Sequence, residues 1–276
     1  MLINFSEILN HNFPNLIYQN NTLFLNGNID IKLNYDVKVE ELKIVANSGE
    51  ISLVEFNPSY SQIDIVVNVS SSLKHSSIYS NKSNSDNVKI NVENSGIYKR
   101  ILIDLVVSNL NINSCINLVA DGSESDYQSA TISYDQNIKH HTVTTNNLSR
   151  FSKGNILNYG IVYGDAILDI TGIGDIKKGA SVSESHQKTV IVTFDEKSKG
   201  YARPFLYIAE DDVKASHDTA VGKIDEEVIF YLTSRGVSEK EAKRFIALGY
   251  FKPIIKELND DETQQKIIDY LEGVIK

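Results

Sequence analysis

A chain of 276 residues, 41% of them hydrophobic, is long enough for one large domain or for one with a small appendage. Its 27 Lys and Arg against 36 Asp and Glu leave a net charge of −9, which argues against a nucleic-acid or anionic-membrane surface as main partner. A single cysteine, Cys115, rules out an intramolecular disulfide or a cysteine cage for a metal within one chain. The first ten residues lack the basic and apolar regions of a leader, so a cytoplasmic protein without a membrane span is expected.

From Leu16 the pattern is that of short strands. Thr22-Leu-Phe-Leu-Asn and Ile29-Asp-Ile-Lys-Leu flank the turn signal Asn26-Gly27, and segments starting at Glu41, Ile51 and Ile63 follow, most of them alternating. Residues 70–87 are rich in Ser and Asn and read as a loop. Strand patterns resume at Val88, Lys99 and Ile112, then at Ala130, Lys139, Ile156, Ala166 and Thr189, with glycine-bearing turns between the later ones. Phe205-Leu-Tyr-Ile carries apolar residues on both faces and reads as a strand buried on both sides. Two hundred residues without a helical period give a mainly β fold, for which a sandwich and a β-solenoid both fit.

The hydrophobic period changes near His217. Asp225 is a helix N-cap, Glu226 and Glu227 place negative charge in the first turn, and Ile224 and Ile229 have the spacing of a hydrophobic staple. Gly236 is a C′ residue. Ser238-Glu-Lys-Glu241 is a capping box, Pro253 interrupts the path, and Asn259 or Asp260 caps a last helix. The division is a β-rich domain over 1–222 and a helical domain over 223–276.

Between Pro204 and Gly236 the chain spells P-x-L-x-I-x-x-x-D-V-K-x-S-H-x-x-x-V-G-x-I-D-E-E-x-x-F-Y-L-x-S-R-G. This run resembles the signature of the SufB/SufD family, scaffold subunits of the SUF iron–sulfur cluster assembly machinery. The resemblance is close over about 151–252 and weaker upstream. It implies a right-handed parallel β-helix followed by a small helical domain. It implies no enzyme activity, a transiently held iron–sulfur cluster in place of a stable cofactor, and two partners. A SufC-like ATPase would dock on the C-terminal helices, and a SufB-like subunit or a second copy would pair through the β-helix. Family members carry a helical region before the β-core, so this chain resembles a reduced member.

On chemistry alone, a lone histidine at a strand-to-helix junction is more often a structural residue than a ligand. The resemblance implies an iron or cluster ligand at His217, and neutral imidazole suits iron. Two departures leave the chain without the thiolate expected of the main cluster-building subunit, so it resembles the SufD-like partner scaffold. Ala215 stands where SufD-like members often have Cys, and 182–199 lacks the cysteine of SufB-like members. Asp218 follows His217 and reads as an exposed turn residue. Ile229, Phe230, Tyr231, Ser234 and Arg235 are the candidate partner-binding residues, since aromatic and Arg side chains are typical interface anchors. Cys115 reads as a small buried hydrophobe. His140 and His141, adjacent on a strand, must point to opposite faces. Gly172-Ile-Gly174 lacks the rest of a dinucleotide fingerprint, and no Walker A sequence occurs. A degenerate member with a purely structural role and a carbohydrate-binding β-helix are the alternatives.

Overall fold

Alternation of polar and apolar residues with a period of two runs through most of the β region, and in the computed structural model it winds into a parallel β-solenoid of about seven turns. The structure describes residues 2–80, 87–258 and 260–274. The elements begin with β1 (Leu2–Asn4), α1 (Phe5–Asn10), β2 (Leu16–Gln19), β3 (Thr22–Asn26), β4 (Ile29–Asn34) and β5 (Glu41–Phe56). The coil continues with β6 (Gln62–Val67), β7 (Ser71–Tyr79), β8 (Asn87–Asn94), β9 (Ile97–Asp104), β10 (Asn111–Leu118) and β11 (Glu124–Ser133). It ends with β12 (Ile138–Asn147), β13 (Lys153–Val162), β14 (Ile167–Ile176), β15 (Ser183–Thr193), β16 (Lys199–Ile208) and β17 (Val213–Lys223). Three helices follow: α2 (Glu226–Ser234), α3 (Glu239–Ile255) and α4 (Asp261–Val274).

The strands form two sheets facing each other across a lumen. Sheet I contains β2, β3, the first part of β5, and then β6 and every even strand to β16. Sheet II contains β1, β4, the second part of β5, and then β7 and every odd strand to β17. Among the described strands pairing is parallel except for β2–β3, an antiparallel hairpin whose turn residues Asn20 and Asn21 both have positive φ.

Because the coil stacks in register, lumen-facing residues line up in files along its axis. The first turns are filled by leucine, isoleucine and valine from both sheets, closed at the N-terminal end by Phe5 and Ile8 of α1. A second apolar layer lies on the outside of sheet II. Val54, Ile78, Ile101, Ile103, Ile132 and Ile161 meet Ala247, Phe251 and Ile254 of α3 and Ile267 and Leu271 of α4 there. The middle of sheet II is therefore buried on both faces. Lys99–Glu257 (2.7 Å) and Lys32–Asp260 (2.6 Å) pin the connection between α3 and α4 to this sheet.

The residues expected as a loop over 70–87 are largely strand: 71–79 form β7 and Asn87 opens β8, while 81–86 lie outside the described residues. The serines and His75 of β7 misled because their lumen-facing members are paired with other buried polar groups. Glu55 accepts hydrogen bonds from His75 Nε2 (2.5 Å), Ser77 Oγ (2.8 Å), Tyr60 (2.8 Å) and Tyr35 (2.5 Å). Arg100 Nη1 donates to Ser77 Oγ (2.7 Å), linking its charge to that of Glu55 through the hydroxyl. A second buried centre joins Lys139 Nζ to Asp104 Oδ1 (2.7 Å) and to the carbonyls of Val106 and Ile132, with His141 Nε2 3.2 Å from Asp104 Oδ2. Such groups are stable inside only when paired in this way.

Pro253 does not interrupt a helix as expected. It lies in the last turn of α3, where it leaves the Gly249 carbonyl without its usual N–H donor, and the helix ends two residues later at Ile255. The other caps form as read: Asp225 accepts from the Glu227 N–H (2.8 Å), Ser238 and Glu241 complete a capping box, and Asp260 accepts from the Thr263 N–H (3.0 Å). Asn259 and the side chains of Val274 and Ile275 lie outside the described residues.

Burial alone would raise the Glu55 carboxyl, but His75, the Tyr35 hydroxyl and the Arg100 charge outweigh it and pull it down to about 2. The folded value lies below that of the unfolded chain, so the ionised group contributes stability above about pH 4.5, lost as pH falls toward 2. Glu55→Gln is expected to lower stability near neutral pH by about 3 kcal/mol, since it leaves Arg100 without its counter-charge. Urea melts over this pH range should show a steep decline for the parent chain and a flatter profile for the variant.

Candidate functional site at the open end of the β-helix

The two ends of the coil are treated differently. The N-terminal end is covered by the β2–β3 hairpin and α1. At the C-terminal end β16 pairs with β14, β17 pairs with β15, and the outer edge of each carries no further strand among the described residues. Every residue of β17 after Val213 is exposed. Phe205, Tyr207 and Ile208 of β16 are 42%, 54% and 44% exposed, so the strand expected to be buried on both sides is not buried within this chain. Pro204, in the middle of β16, is at home on an edge strand.

His217 sits on this end. Register places Leu53, His75, Arg100, Tyr127, Ile156, Gln187 and His217 in one file along sheet II, each on the strand above the last. The first six side chains are buried. His217 is the seventh, on the lumen face, and exposed because no turn of the coil covers it. Gln187 below it is fixed by its Nε2 donating to the Phe205 carbonyl (2.8 Å). Gly172 and Gly174 make room for this layer, since a Cβ at Gly172 would lie 2.6 Å from Gln187 Oε1.

Asp218 points the other way, to the outer face of sheet II, where its carboxylate lies 3.1 Å from Lys188 Nζ. His217 and Asp218 thus share a strand but no site. On that outer face Lys214 reaches Glu184 (3.0 Å) and Ser216 Oγ lies 2.7 Å from His186 Nδ1. None of Glu184, His186, Gln187 and Lys188 stood out in the sequence. Their strict alternation on β15 was the available signal for which of them face the lumen.

Helix α2 begins shortly after β17. Ile229 turns inward, half-buried against the layer that holds Ile224, as the staple requires. Phe230 and Tyr231 are 72% and 55% exposed, Ser234 is exposed, and the Arg235 guanidinium stacks 4.7 Å over the Tyr231 ring. No residue of α2 is fully buried. The candidate partner-binding residues other than Ile229 therefore form one accessible surface.

Cys115 is half-buried on the outer face of sheet I, not in the core, because Ile112, Ser114, Ile116 and Leu118 take the inward positions of β10. Its Sγ lies 3.5 Å from Asn146 Nδ2, and burial pushes its thiol up, away from a reactive thiolate. It is far in register from β17. His141 is buried against Asp104 and His140 faces outward, as adjacent strand residues must. In the acidic turn, Glu210 accepts from the N–H groups of Gly179 and Asp211. Among the described residues no three His, Cys, Asp or Glu side chains converge as a metal cage. No described helix is long and apolar enough to cross a membrane.

A parallel β-helix with an open C-terminal end and a helical extension defines a class, and comparison with known proteins identifies it. Residues 38–250 match the family "SUF system FeS cluster assembly, SufBD core domain", and the chain belongs to this family. It is 31% identical over 160 residues to the iron–sulfur cluster assembly protein SufD of Bacillus subtilis, a match covering 58% of this chain and 37% of that protein. It is 39% identical over 66 residues to SufD of Escherichia coli, covering 24% and 16%, and 36% identical over 87 residues to SufB of Bacillus subtilis, covering 32% and 19%. The matched segments thus span well under half the length of these relatives.

Since His217 is exposed and contributes nothing to either apolar layer, His217→Ala is expected to shift stability by less than about 0.5 kcal/mol. Thermal melts by circular dichroism check this, and a large loss would make the residue structural.

Proposed function

We propose that this chain is a non-enzymatic, SufD-like scaffold subunit of the SUF iron–sulfur cluster assembly complex. It pairs through the open end of its β-helix with another scaffold subunit and docks a SufC-like ATPase through its C-terminal helices, in the cytoplasm. The observation that carries this reading is the position of His217, on the lumen face of the last strand of an uncovered end, in a chain that belongs to the family. A partner placed on that end encloses the imidazole.

One imidazole cannot complete a coordination sphere for iron. The other ligands come from the cluster's own sulfide and from the partner, and the iron and sulfide are cargo passing through the assembly. Neutral His217 supplies one nitrogen to that cargo. The absence of cysteine from 182–199 and from position 215 fits a subunit that leaves sulfur handling to its partner. The same absence favours a second reading, in which the chain only completes the complex structurally. The stacked Tyr231–Arg235 pair beside exposed Phe230 has the composition of a docking anchor and supports the ATPase contact on α2.

His217→Ala is expected to reduce the activity of iron–sulfur enzymes in cells that depend on this chain while complex formation persists. Full activity in that strain would favour the purely structural reading. Tyr231→Ala with Arg235→Ala is expected to weaken capture of the ATPase at least about tenfold in a pull-down, with an unchanged melting curve. Retained capture would place the contact elsewhere.

A further inference from the structure

We propose that Gln187 is a positioning residue for His217. Its side-chain Oε1 accepts the Nδ1–H of the imidazole, which leaves the Nε2 lone pair facing the uncovered lumen. This rests on the reading of His217 as a ligand of passing iron or cluster and names what orients it.

Gln187 stands on β15 directly beneath His217 on β17, both on the lumen face. Neighbouring strands lie about 4.8 Å apart, within reach of two long side chains. The Gln187 side chain is buried, and its amide is held in one sense. Its Nε2 donates to the Phe205 carbonyl (2.8 Å). A carbonyl only accepts, so the amide cannot be flipped, and Oε1 is the end left over. That oxygen is buried and has no hydrogen-bond partner among the described residues. A buried amide oxygen without a donor is rare and costly, and it is met by whichever donor nearby can turn toward it.

The donors around it are few. On the facing sheet a Cβ at Gly172 would lie 2.6 Å from Oε1, whereas one at Gly174 would lie 3.0 Å from Nε2 and closer still to Ser185 Oγ. The amide thus lies across β14 with its oxygen toward Gly172 and its nitrogen toward Gly174, and Ser185 is on the nitrogen side. Thr189, on the other flank, receives Asn158 Nδ2 (3.1 Å). Both hydroxyls sit on short side chains fixed by the backbone, and neither bonds to Oε1. In the turn above, Pro204 pairs with Gly172 and carries no N–H. His217 remains. Its side chain is exposed on the last described strand of its sheet, and rotation about two side-chain bonds brings the ring down over Gln187. Nδ1 is the ring nitrogen nearer the backbone, so it is the one that meets a residue on the adjacent strand. Nε2 is then carried outward. Metal-binding imidazoles are fixed in this way, by a hydrogen bond from the nitrogen that does not bind.

The test is nuclear magnetic resonance of the full chain carrying nitrogen-15 histidine, at about pH 8.5 where imidazole is neutral. Loss of signals in His217→Ala identifies this residue among the six histidines. An unhindered imidazole favours the Nε2–H form, so the parent chain is expected to show the less common Nδ1–H form as its main species at His217. Gln187→Met keeps the length of the side chain and removes both its acceptor and its donor, and His217 should revert to mainly Nε2–H. Gln187→Glu keeps an acceptor and loses only the bond to Phe205, and should retain Nδ1–H. A residue that merely braces the two sheets predicts the same outcome for both variants. Circular dichroism melts confirm folding; should Gln187→Met not fold, the parent spectrum and Gln187→Glu decide. Mainly Nε2–H in the parent chain, Nδ1–H persisting in Gln187→Met, or its loss in Gln187→Glu overturns the proposal and leaves the function above intact. The expected spectra in a chain whose cells are indifferent to His217→Ala would keep Gln187 as the residue that orients the ring and remove the ligand role.

Discussion

A parallel coil of strands satisfies its backbone hydrogen bonds everywhere except at its two ends, and the treatment of those ends organises this molecule. Each turn supplies the edge on which the next is laid, so the first and last strands of each sheet carry rows of unpaired groups. At the N-terminus an antiparallel hairpin and a six-residue helix provide closure, with Phe5 and Ile8 plugging the lumen. At the C-terminus no described element does the same. The last two strands present both their edges and their lumen faces, and the path then leaves for the helices.

Aliphatic side chains are not all that fills the lumen. It also holds two pairs of buried charges, Glu55 with Arg100 and Asp104 with Lys139, each set within hydroxyls, imidazoles or backbone carbonyls. Charges this deep are costly to bury and more costly to leave half-paired, so they fix the stacking of β5, β7, β9 and β12 against slippage. A shift of one residue in any of these strands would turn the ionic partner to the outside. Register carried this way along the axis is what brings a residue on the last strand, His217, into the same file as His75 and Arg100.

Most strands were legible in the sequence because a period of two survives even where the inward residues are polar. Fold class needed the family resemblance, since alternation is common to a sandwich and a solenoid and only the stacking distinguishes them. The misses have specific causes. Ser71–Tyr79 looked like a loop because its inward serines and His75 find their partners on strands 20 or more positions away, a pairing no local window contains. Cys115 was given the wrong face because its apolar neighbours belong to the opposite parity. Phe205-Leu-Tyr-Ile was read as buried on both sides, and its composition is that of a buried strand. What composition cannot tell is whether this chain's own atoms do the burying, and among the described residues they do not. The caps of α2 and α3 were fully legible because each is a matter of three or four adjacent residues.

The connection between β17 and α2 joins the two halves of the candidate site. Ile224 and Asp225 are all that separates the last strand from the helix that carries Phe230 and Tyr231 and is capped by Arg235. Ile224 is buried in the layer beneath the helices, and Asp225 caps α2 through the Glu227 N–H, so neither residue is free to act as a loose hinge. A rotation of α2 would therefore act on β17, which among the described residues is held by β15 alone. His217 lies near the middle of that strand, on the face that looks into the uncovered lumen. The exposed histidine on β17 and the exposed surface of α2 are thus joined by a connection of two residues, one buried and one a helix cap.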